Sequence, residues 1–363
     1  MSISNEEVGS RPRSKPDLKG FLPDEVAEFM VNMGEPAYRG TQVFSWIHRK
    51  GAVRFDEMTN LPIELRRRLA DAARLTDLEV ISRASGTQGT VKYLLGLGDG
   101  NSVEGVRMKY AYGVSACVST QVGCKMGCAF CASGMGGFTR NLSPGEIVDQ
   151  VLKMNMDLSK GQGEGPRTAR VGWVVLMGTG EPLDNYSAST KALRILNAKD
   201  GLNLSFRRMT VSTCGLVPGI RRLAGEGIPV TLSISLHAPT DDLRDEIMPI
   251  NKRYPIAEVM EAASFYASRT GRRVTFEYAL IRDVNDSPAE ARRLSELVSG
   301  MLAHVNLIPL NPVDGKAYER PPRERVMRFL AVLRQAGIPV TIRRGLGLDI
   351  DAACGQLRRR YCR

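Results

Sequence analysis

The chain has 363 residues, of which 43% are hydrophobic and 25% charged, a composition typical of a globular protein with about two domains. No stretch approaches the ~18 apolar residues of a membrane span, and the seven cysteines, an odd number, argue against a secreted disulfide framework. The net charge of +11 suits a polyanionic partner, although a solvated basic surface explains it equally well. Residues 1–17 are polar and lack the apolar core of a secretion signal, so we expect a disordered tail on a cytoplasmic protein.

The first 110 residues predict two small regions of different type. Residues 18–76 read as a helical accessory domain, in which Pro23 begins one helix and the leucines of residues 61–73 repeat every four positions. Residues 77–112 read as a β meander, because short runs of β-forming residues are separated by glycine-rich turns such as residues 96–100.

Strand and helix patterns alternate through residues 113–346, which predicts a parallel sheet rolled into a β/α barrel, complete or open. In such barrels the chemistry lies at the carboxyl ends of the strands. Residues 347–363 form a C-terminal segment with a basic tail. The predicted strands are Val114–Ser119, Val171–Met177, Arg208–Ser212, Val230–Leu236, Val274–Leu280, His304–Ile308 and Val340–Arg343.

Three closely spaced cysteines, Cys124, Cys128 and Cys131, follow the first of these strands. A thiolate is a soft ligand that suits iron–sulfur clusters, zinc or copper(I). A cubane [4Fe–4S] cluster normally takes four cysteines, so a triplet would leave one iron open to a substrate or cofactor. A structural zinc site with Cys117 as the fourth ligand is the alternative, but zinc sites more often use paired cysteines, often with histidines.

Two separated stretches carry a resemblance to a known family. Residues 117–131, followed by residues 137–142, resemble the cysteine loop of the RlmN family of radical S-adenosylmethionine (SAM) enzymes, and residues 349–357 resemble its C-terminal motif. The resemblance implies an α/β fold with an open (partial) barrel of the radical SAM type. It also implies a [4Fe–4S] cluster on the three cysteines, SAM as cofactor, and methylation of adenine C2 in 23S rRNA and tRNA.

The resemblance extends to small polar groups that follow the predicted strands. A Gly-Thr-Gly-Glu-Pro turn at residues 178–182 is an ordinary strand-to-helix turn on its own, but in this family it meets the amino group of SAM. A lone histidine such as His237 is more often a packed residue than a ligand group. The resemblance nevertheless implies SAM contacts by Gly180, Glu181, Ser212, Ser235, Leu236, His237 and Asn311.

Two further cysteines match the family's catalytic positions, although a lone cysteine is usually a buried apolar residue. The resemblance implies that SAM methylates Cys354, and that a 5′-deoxyadenosyl radical from a second SAM then removes a hydrogen from this methyl group. The resulting carbon adds to adenine C2, a base removes the C2 proton, and Cys117 attacks the Cys354 sulfur to release the product. Cys117 itself and Glu104 are both candidates for the base, and the sequence does not separate them.

Two other functions compete with this prediction. Methylation of adenine C8, as in the related Cfr family, would use the same cysteine motifs. A non-catalytic iron–sulfur or zinc protein that binds RNA would need neither Cys354 nor the Gly-Glu-Pro turn. As partners, the resemblance implies 23S rRNA, tRNA and an external electron donor such as flavodoxin or ferredoxin, and we expect a monomer that does not bind membranes.

Overall fold

The fold is that of a computed structural model, which describes residues 15–160, 169–343 and 345–357. Residues 1–14 of the predicted tail and the basic end at 358–363 lie outside these ranges. For the last residues of the tail the prediction of disorder was wrong. The Asp17 carboxylate accepts hydrogen bonds from the backbone N–H groups of Lys19 (3.2 Å) and Thr76 (2.9 Å), which fixes the chain at this point.

Three helices form the amino-terminal region: α1 (Pro23–Asn32), α2 (Tyr38–Ser45) and α3 (Ile63–Ala72). Pro23 occupies the first position of α1, and the Glu25 side chain closes the first turn by accepting a 2.7 Å hydrogen bond from the backbone of Leu22. The four-residue repeat in α3 buries Leu65 and Leu69, as the sequence pattern indicated.

The described residues form twelve strands, ten of which make one sheet in the order β1-β2-β3-β4-β7-β8-β9-β10-β11-β12. Within this sheet, β1 to β4 pair antiparallel. The other neighbours, from β4–β7 through β11–β12, pair parallel. In the described part of the chain β1 and β12 do not pair, so the barrel is open. The strands are β1 (Glu79–Ser85), β2 (Val91–Gly96), β3 (Ser102–Tyr110), β4 (Gly113–Cys117), β5 (Gln121–Gly123), β6 (Phe138–Asn141), β7 (Val171–Leu176), β8 (Met209–Thr213), β9 (Thr231–Ser235), β10 (Val274–Leu280), β11 (Ala303–Pro309) and β12 (Val340–Ile342).

Helices alternate with the parallel strands, and one hydrophobic core includes buried residues of both. At the start of α4, Ser143 and Glu146 exchange hydrogen bonds of 2.8 and 3.2 Å, the capping box that the sequence predicts. The helices are α4 (Pro144–Lys160), α5 (Tyr186–Asn197), α6 (Val217–Gly225), α7 (Asp241–Ile247), α8 (Ile256–Thr270), α9 (Pro288–Val298) and α10 (Arg323–Gln335).

A buried ion pair attaches the amino-terminal region to the barrel. Lys19 Nζ lies 2.7 Å from Asp149 Oδ1 on α4, and both side chains are 1% exposed. The second oxygen of Asp149 accepts a 2.7 Å hydrogen bond from the backbone of Leu78, at the start of the meander. One carboxylate therefore holds the helical region, the meander and the barrel together.

Two segments outside the large sheet meet at the carboxyl ends of the parallel strands. Strands β5 and β6 form a small antiparallel pair on either side of the cysteine loop. The sequence analysis did not predict this pair. The C-terminal segment, described over residues 347–357, returns to the same end of the barrel, where its Gly355 carbonyl accepts a 2.8 Å hydrogen bond from Ala132 N in the loop.

Candidate active site

An open cavity of about 990 Å³ lies at the carboxyl ends of the parallel strands. Its wall is built from the cysteine loop, the turns after the strands and the C-terminal segment. Residues that are far apart in the sequence therefore converge on one site. Ten of the predicted site residues line it: Cys124, Cys128, Cys131, Gly180, Glu181, Ser212, Ser235, His237, Asn311 and Cys354.

The cysteine loop is closed at its base by the β5–β6 pair. Gly123 has a φ of 77°, and a Cβ at this position would lie 1.7 Å from the carbonyl oxygen of Gly137. Glycine is therefore required for the two strands to meet.

The three loop cysteines are free thiols that face one cavity. Burial raises the pKa of Cys124 to about 11 and also raises the pKa of Cys128, because an ionised sulfur would lose its water. Among the described residues no three His, Cys, Asp or Glu side chains meet closely enough to share a single metal ion. In a cubane cluster each cysteine binds a different iron, so three thiols around one cavity fit a [4Fe–4S] cluster with its fourth iron open.

The turn after β7 holds Gly180 and Glu181 against the base of the cysteine loop. Gly180 has a φ of 106°, and a Cβ there would lie 2.6 Å from that of Gln121. The buried Glu181 carboxylate accepts hydrogen bonds from the backbone N–H groups of Cys214 (2.8 Å) and Leu183 (2.9 Å). Burial raises the pKa of Glu181, and these two bonds oppose the shift. Each carboxylate oxygen has a further lone pair, so Glu181 can also accept from an ammonium group.

Polar side chains from the next two parallel strands complete this wall. Ser212 on β8 and Ser235 on β9 line the cavity, and His237 follows β9. His237 Nδ1 accepts a 2.9 Å hydrogen bond from Ala279 N, which places the ring proton on Nε2. Burial, together with the charge of a nearby arginine, lowers the pKa of His237 to about 3. The imidazole is therefore neutral at physiological pH.

That arginine, Arg244 on α7, is completely buried and joins the ends of two strands. It donates hydrogen bonds to the carbonyl oxygens of Cys214 (2.6 Å) and Leu236 (3.0 Å). The Leu236 side chain lies in the core and does not line the cavity. Sequence reasoning missed Arg244, although its spacing of three from the buried Ile247 was a usable signal that it lies on the inner helix face.

Cys354 lies between this cavity and a second one of about 560 Å³. Cys117, at the end of β4, lines the second cavity and belongs to the same apolar cluster as Ala352. Both cysteines are free thiols. The fold therefore brings the two sulfur-bearing residues to one cavity from opposite ends of the barrel sequence.

Arg343 lines both cavities beside these thiols. Its Nη1 lies 3.8 Å from Glu277 Oε2 and 3.7 Å from Met177 Sδ. Burial raises the pKa of Cys117 to about 12 and also raises the pKa of Cys354, whereas the charge of Arg343 lowers both. Arg343 therefore favours the thiolate form at each sulfur.

Hydrogen bonds hold the Cys354 segment over the first cavity. Asn311 Nδ2 donates to the Cys354 carbonyl oxygen at 3.0 Å, and Ser133 Oγ donates to the Leu357 carbonyl oxygen at 2.8 Å. Asn311, predicted from the resemblance as a SAM contact, thus also positions Cys354.

Glu104 lines neither of these two cavities in the described part of the chain. It is buried on β3, with Oε1 3.5 Å from Lys92 Nζ, and faces a third cavity next to Asp351. Val106, two residues further along β3, pairs with Cys117. The Glu104 side chain therefore lies on the same face of the sheet as those of Val106 and Cys117. Glu104 therefore lies beside the C-terminal segment at Asp351.

Sequence reasoning also missed further residues that line the cavity, among them Met177, Glu277 and Arg343. Each lies on or directly after a parallel strand, so the alternation of side chains along the strand was the available signal. The signal is weak, because it does not say which of the two faces encloses the cavity.

Comparisons with known proteins agree with this geometry. Residues 16–75 match the ribosomal RNA large subunit methyltransferase N-terminal domain, and residues 118–294 match the radical SAM superfamily. A probable dual-specificity RNA methyltransferase RlmN of Symbiobacterium thermophilum is 51% identical over 356 residues, which cover 98% of this chain and 93% of that protein. A relative of the same description from Pelotomaculum thermopropionicum is 53% identical over 346 residues, which cover 95% and 92%. The chain belongs to the RlmN family of radical SAM RNA methyltransferases.

The fold of this RlmN-family chain is also that of a solved relative. A crystal structure of a radical SAM methyltransferase from Sphaerobacter thermophilus matches with a TM-score of 0.90 and 47% identity, covering 94% of this chain and 99% of that one. The predicted open barrel with its small helical region is confirmed, and the alternative of a non-catalytic metal protein is wrong. Within the described residues, no helix has both the length and the apolar character needed to cross a membrane.

Proposed function

We propose that the enzyme methylates carbon 2 of an adenine in 23S rRNA, and of an adenine in tRNA, through a methyl group carried by Cys354. The position of Cys354 carries this proposal, because the residue borders both the cavity of the cysteine loop and the cavity of Cys117. A carbon carrier needs the methyl donor on one side and the RNA on the other. The dual specificity in the description of the full-length relatives supports two RNA substrates.

The first cavity suits a cluster and SAM together. Cys124, Cys128 and Cys131 would hold a [4Fe–4S] cluster, which in its reduced form supplies radical chemistry with SAM. In our proposal Glu181 accepts the ammonium group of SAM, the neutral His237 donates from Nε2, and the backbone of Leu236 contributes where its buried side chain cannot. The proposed SAM contacts are Gly180, Glu181, Ser212, Ser235, Leu236, His237 and Asn311.

The Cys354 thiolate would attack the methyl carbon of one SAM, with S-adenosylhomocysteine as the leaving group, and Arg343 would assist because its charge favours the thiolate. A 5′-deoxyadenosyl radical from a second SAM would take one hydrogen atom from this methyl group, and the remaining carbon would add to adenine C2 and link the RNA to Cys354. Carbon 2 is electron-poor, so a radical addition avoids the mismatch with the electrophilic methyl group of SAM.

Cys117 then releases the RNA. After the C2 proton has passed to a base and one electron to the oxidised cluster, Cys117 would attack the Cys354 sulfur. The sulfur–carbon bond would break, and the carbon would take a proton and remain on adenine as a methyl group. Disulfide formation requires Cα atoms about 4.4–6.8 Å apart. That Cys117 and Cys354 line the same cavity supports such an approach. We also propose the thiolate form of Cys117 as the proton acceptor, since Glu104 faces a different cavity.

Product analysis tests the reaction and its regiochemistry. The reconstituted enzyme is incubated with SAM, a reductant and 23S rRNA or tRNA, and the digested nucleosides are separated by liquid chromatography with mass spectrometry. We expect 2-methyladenosine together with 5′-deoxyadenosine, and no product from Cys354→Ala. Formation of 8-methyladenosine would overturn the C2 assignment in favour of the Cfr-type reaction.

We further propose that an acidic electron-transfer protein, such as flavodoxin or ferredoxin, reduces the cluster. A small basic hollow flanks the cysteine loop and includes Lys125, Lys252 and Arg253. Met126 lines both this hollow and the SAM cavity, so the two are separated by a single side chain at that point. The positive charge of the basic hollow complements an acidic protein surface.

The remaining assignments follow from the same reaction. We propose a monomer in the cytoplasm, where ribosomal and transfer RNA are modified. Residues 18–76 would serve as the accessory domain, 77–112 as the meander, 113–346 as the catalytic barrel and 347–363 as the segment that carries the methylated cysteine.

A further inference from the structure

An aromatic cluster lies at the end of the sheet that is remote from the cysteine loop. A two-residue turn joins β3 to β4, since Tyr110 pairs with Gly113. The rings of Tyr110 and Tyr112 are stacked, with centroids 4.9 Å apart and planes 8° apart, and Tyr112 meets the ring of Trp173 edge-on at 4.8 Å. Gly113 permits this arrangement, because a Cβ there would lie 2.7 Å from a ring carbon of Trp173.

This aromatic cluster is continuous with the cavity that contains Cys117 and Cys354. Tyr110 lines that cavity, whereas Tyr112 is 60% exposed. Cys117 lies four residues along β4 from Gly113, which corresponds to about 13 Å at about 3.3 Å per residue. An aromatic wall therefore leads from solvent toward the two sulfur atoms.

One arginine contacts the aromatic cluster, and three others lie along the same edge at the amino-terminal ends of the parallel strands. The guanidinium carbon of Arg208, directly before β8, lies 4.9 Å from the ring centroid of Trp173. Arg207 belongs to the same turn, and Arg272 and Arg273 directly precede β10. Parallel strands begin at one edge of a sheet, so these side chains share an edge.

We propose that Tyr110, Tyr112 and Trp173 form a stacking site for an unpaired nucleobase that flanks the target adenine. The inference rests on the proposed function, because it names the side from which the RNA reaches Cys354. Aromatic side chains stack on any base, and the neighbouring arginines suit the phosphates between successive bases. The cavity of Cys117 and Cys354 extends to Tyr110, so RNA that arrives along this side would reach Cys354 without displacing SAM or the cluster.

Fluorescence of a base analogue tests the stacking directly. The probe is a short RNA hairpin with unpaired adenines in its loop, in which 2-aminopurine replaces one loop adenine at a time. With the reconstituted wild-type enzyme we expect quenching at a position next to the methylated adenine. Tyr112→Leu should abolish this quenching and weaken binding about 5- to 50-fold, whereas Tyr112→Phe should retain both.

The matched control is Phe265→Leu. Phe265 is an exposed aromatic residue on α8, and it also has an arginine, Arg221, with its guanidinium carbon 5.7 Å from the ring centroid. This variant should bind and quench like the wild type. In addition, Arg208→Ala should reduce the slope of log affinity against log salt by about one phosphate contact, whereas Arg221→Ala should not change it.

The outcomes separate this inference from the proposed function. If the wild-type enzyme binds and methylates the hairpin, but Tyr112→Leu retains the wild-type quenching and affinity, the stacking site is wrong and the methyltransferase proposal stands. If the wild-type enzyme with an intact cluster neither binds nor methylates the hairpin, 23S rRNA and tRNA, the proposed function itself fails.

Discussion

The side-chain amide of Asn311 donates a 3.0 Å hydrogen bond to the carbonyl oxygen of Cys354. Asn311 lies two residues after the carboxyl end of the parallel strand β11, whereas Cys354 belongs to the C-terminal segment. The bond therefore fixes the proposed methyl carrier relative to the sheet that forms the SAM cavity. A second bond of 2.8 Å, from Ala132 N to the Gly355 carbonyl oxygen, fixes the same segment to the cysteine loop.

Removal of this amide should slow methylation of Cys354. A single hydrogen bond contributes about 1 kcal/mol, so we expect Asn311→Ala to lower the rate about 5- to 10-fold. Asn311→Asp should slow it further, because a carboxylate oxygen facing the carbonyl is repelled. Peptide mass spectrometry after a pulse of SAM measures the methyl group on Cys354. Asn197→Ala, which removes a comparable 2.8 Å bond from a side-chain amide to the Leu204 carbonyl outside the site, is the control and should leave the rate unchanged. Wild-type rates in both Asn311 variants would contradict the positioning role.

Cys117→Ala should trap the RNA on the protein. Without the second sulfur the bond between Cys354 and the added carbon cannot be exchanged for a disulfide, so a covalent protein–RNA species should accumulate. Denaturing gel electrophoresis with labelled RNA detects it, and the Cys117→Ala, Cys354→Ala double variant should show none. Freely released methylated RNA from the single variant, with no linked species, would rule out the proposed release step.

Release should depend on pH through Cys117. Burial raises the pKa of this thiol to about 12, so it is protonated at neutral pH and its thiolate fraction rises about tenfold with each pH unit below that value. In single-turnover experiments we expect the linked species to decay about tenfold faster per unit between roughly pH 7 and pH 9. A plateau near pH 8.5, the ordinary value for cysteine, would show instead that the thiol is unperturbed.

Parts of this site were predictable from the sequence because their signals are local. Three cysteines at short spacing, a Gly-Glu-Pro turn after a buried strand, and a Ser143–Glu146 capping box each depend on neighbouring residues. The β5–β6 pair was not predictable, since three- and four-residue strands show too little alternation and pair across the cysteine loop. Neither was the cavity that Glu104 faces, because it depends on how the C-terminal segment lies across β3.

Substitution of a cluster ligand should separate cluster binding from RNA binding. Cys128→Ala leaves two loop thiols, so the anaerobically reconstituted protein should lose most of its iron and its visible absorption. Its thermal unfolding should remain close to that of the wild-type apo-protein, and its RNA affinity should change less than about threefold, since the arginines lie at the opposite edge of the sheet. Cys214→Ala is the control, because the backbone N–H of this residue donates to Glu181, so the variant keeps that bond and should keep full iron content. Wild-type iron content in Cys128→Ala would contradict the assignment of the three ligands.

The buried pair of Lys19 and Asp149 should dominate the attachment of the amino-terminal region. Both side chains are 1% exposed, so Lys19→Met leaves a carboxylate without its cation in the interior. We expect a loss of about 3–5 kcal/mol in the free energy of unfolding, measured by denaturant titration. Replacement of both partners, in Lys19→Met with Asp149→Leu, should recover part of it, because no unpaired charge remains. Asp56→Asn is the control, since its pair with Arg54 is exposed and should contribute less than about 1 kcal/mol. A Lys19→Met protein as stable as this control would show that the carboxylate, whose pKa is raised by burial, is neutral in the folded protein and does not need the lysine.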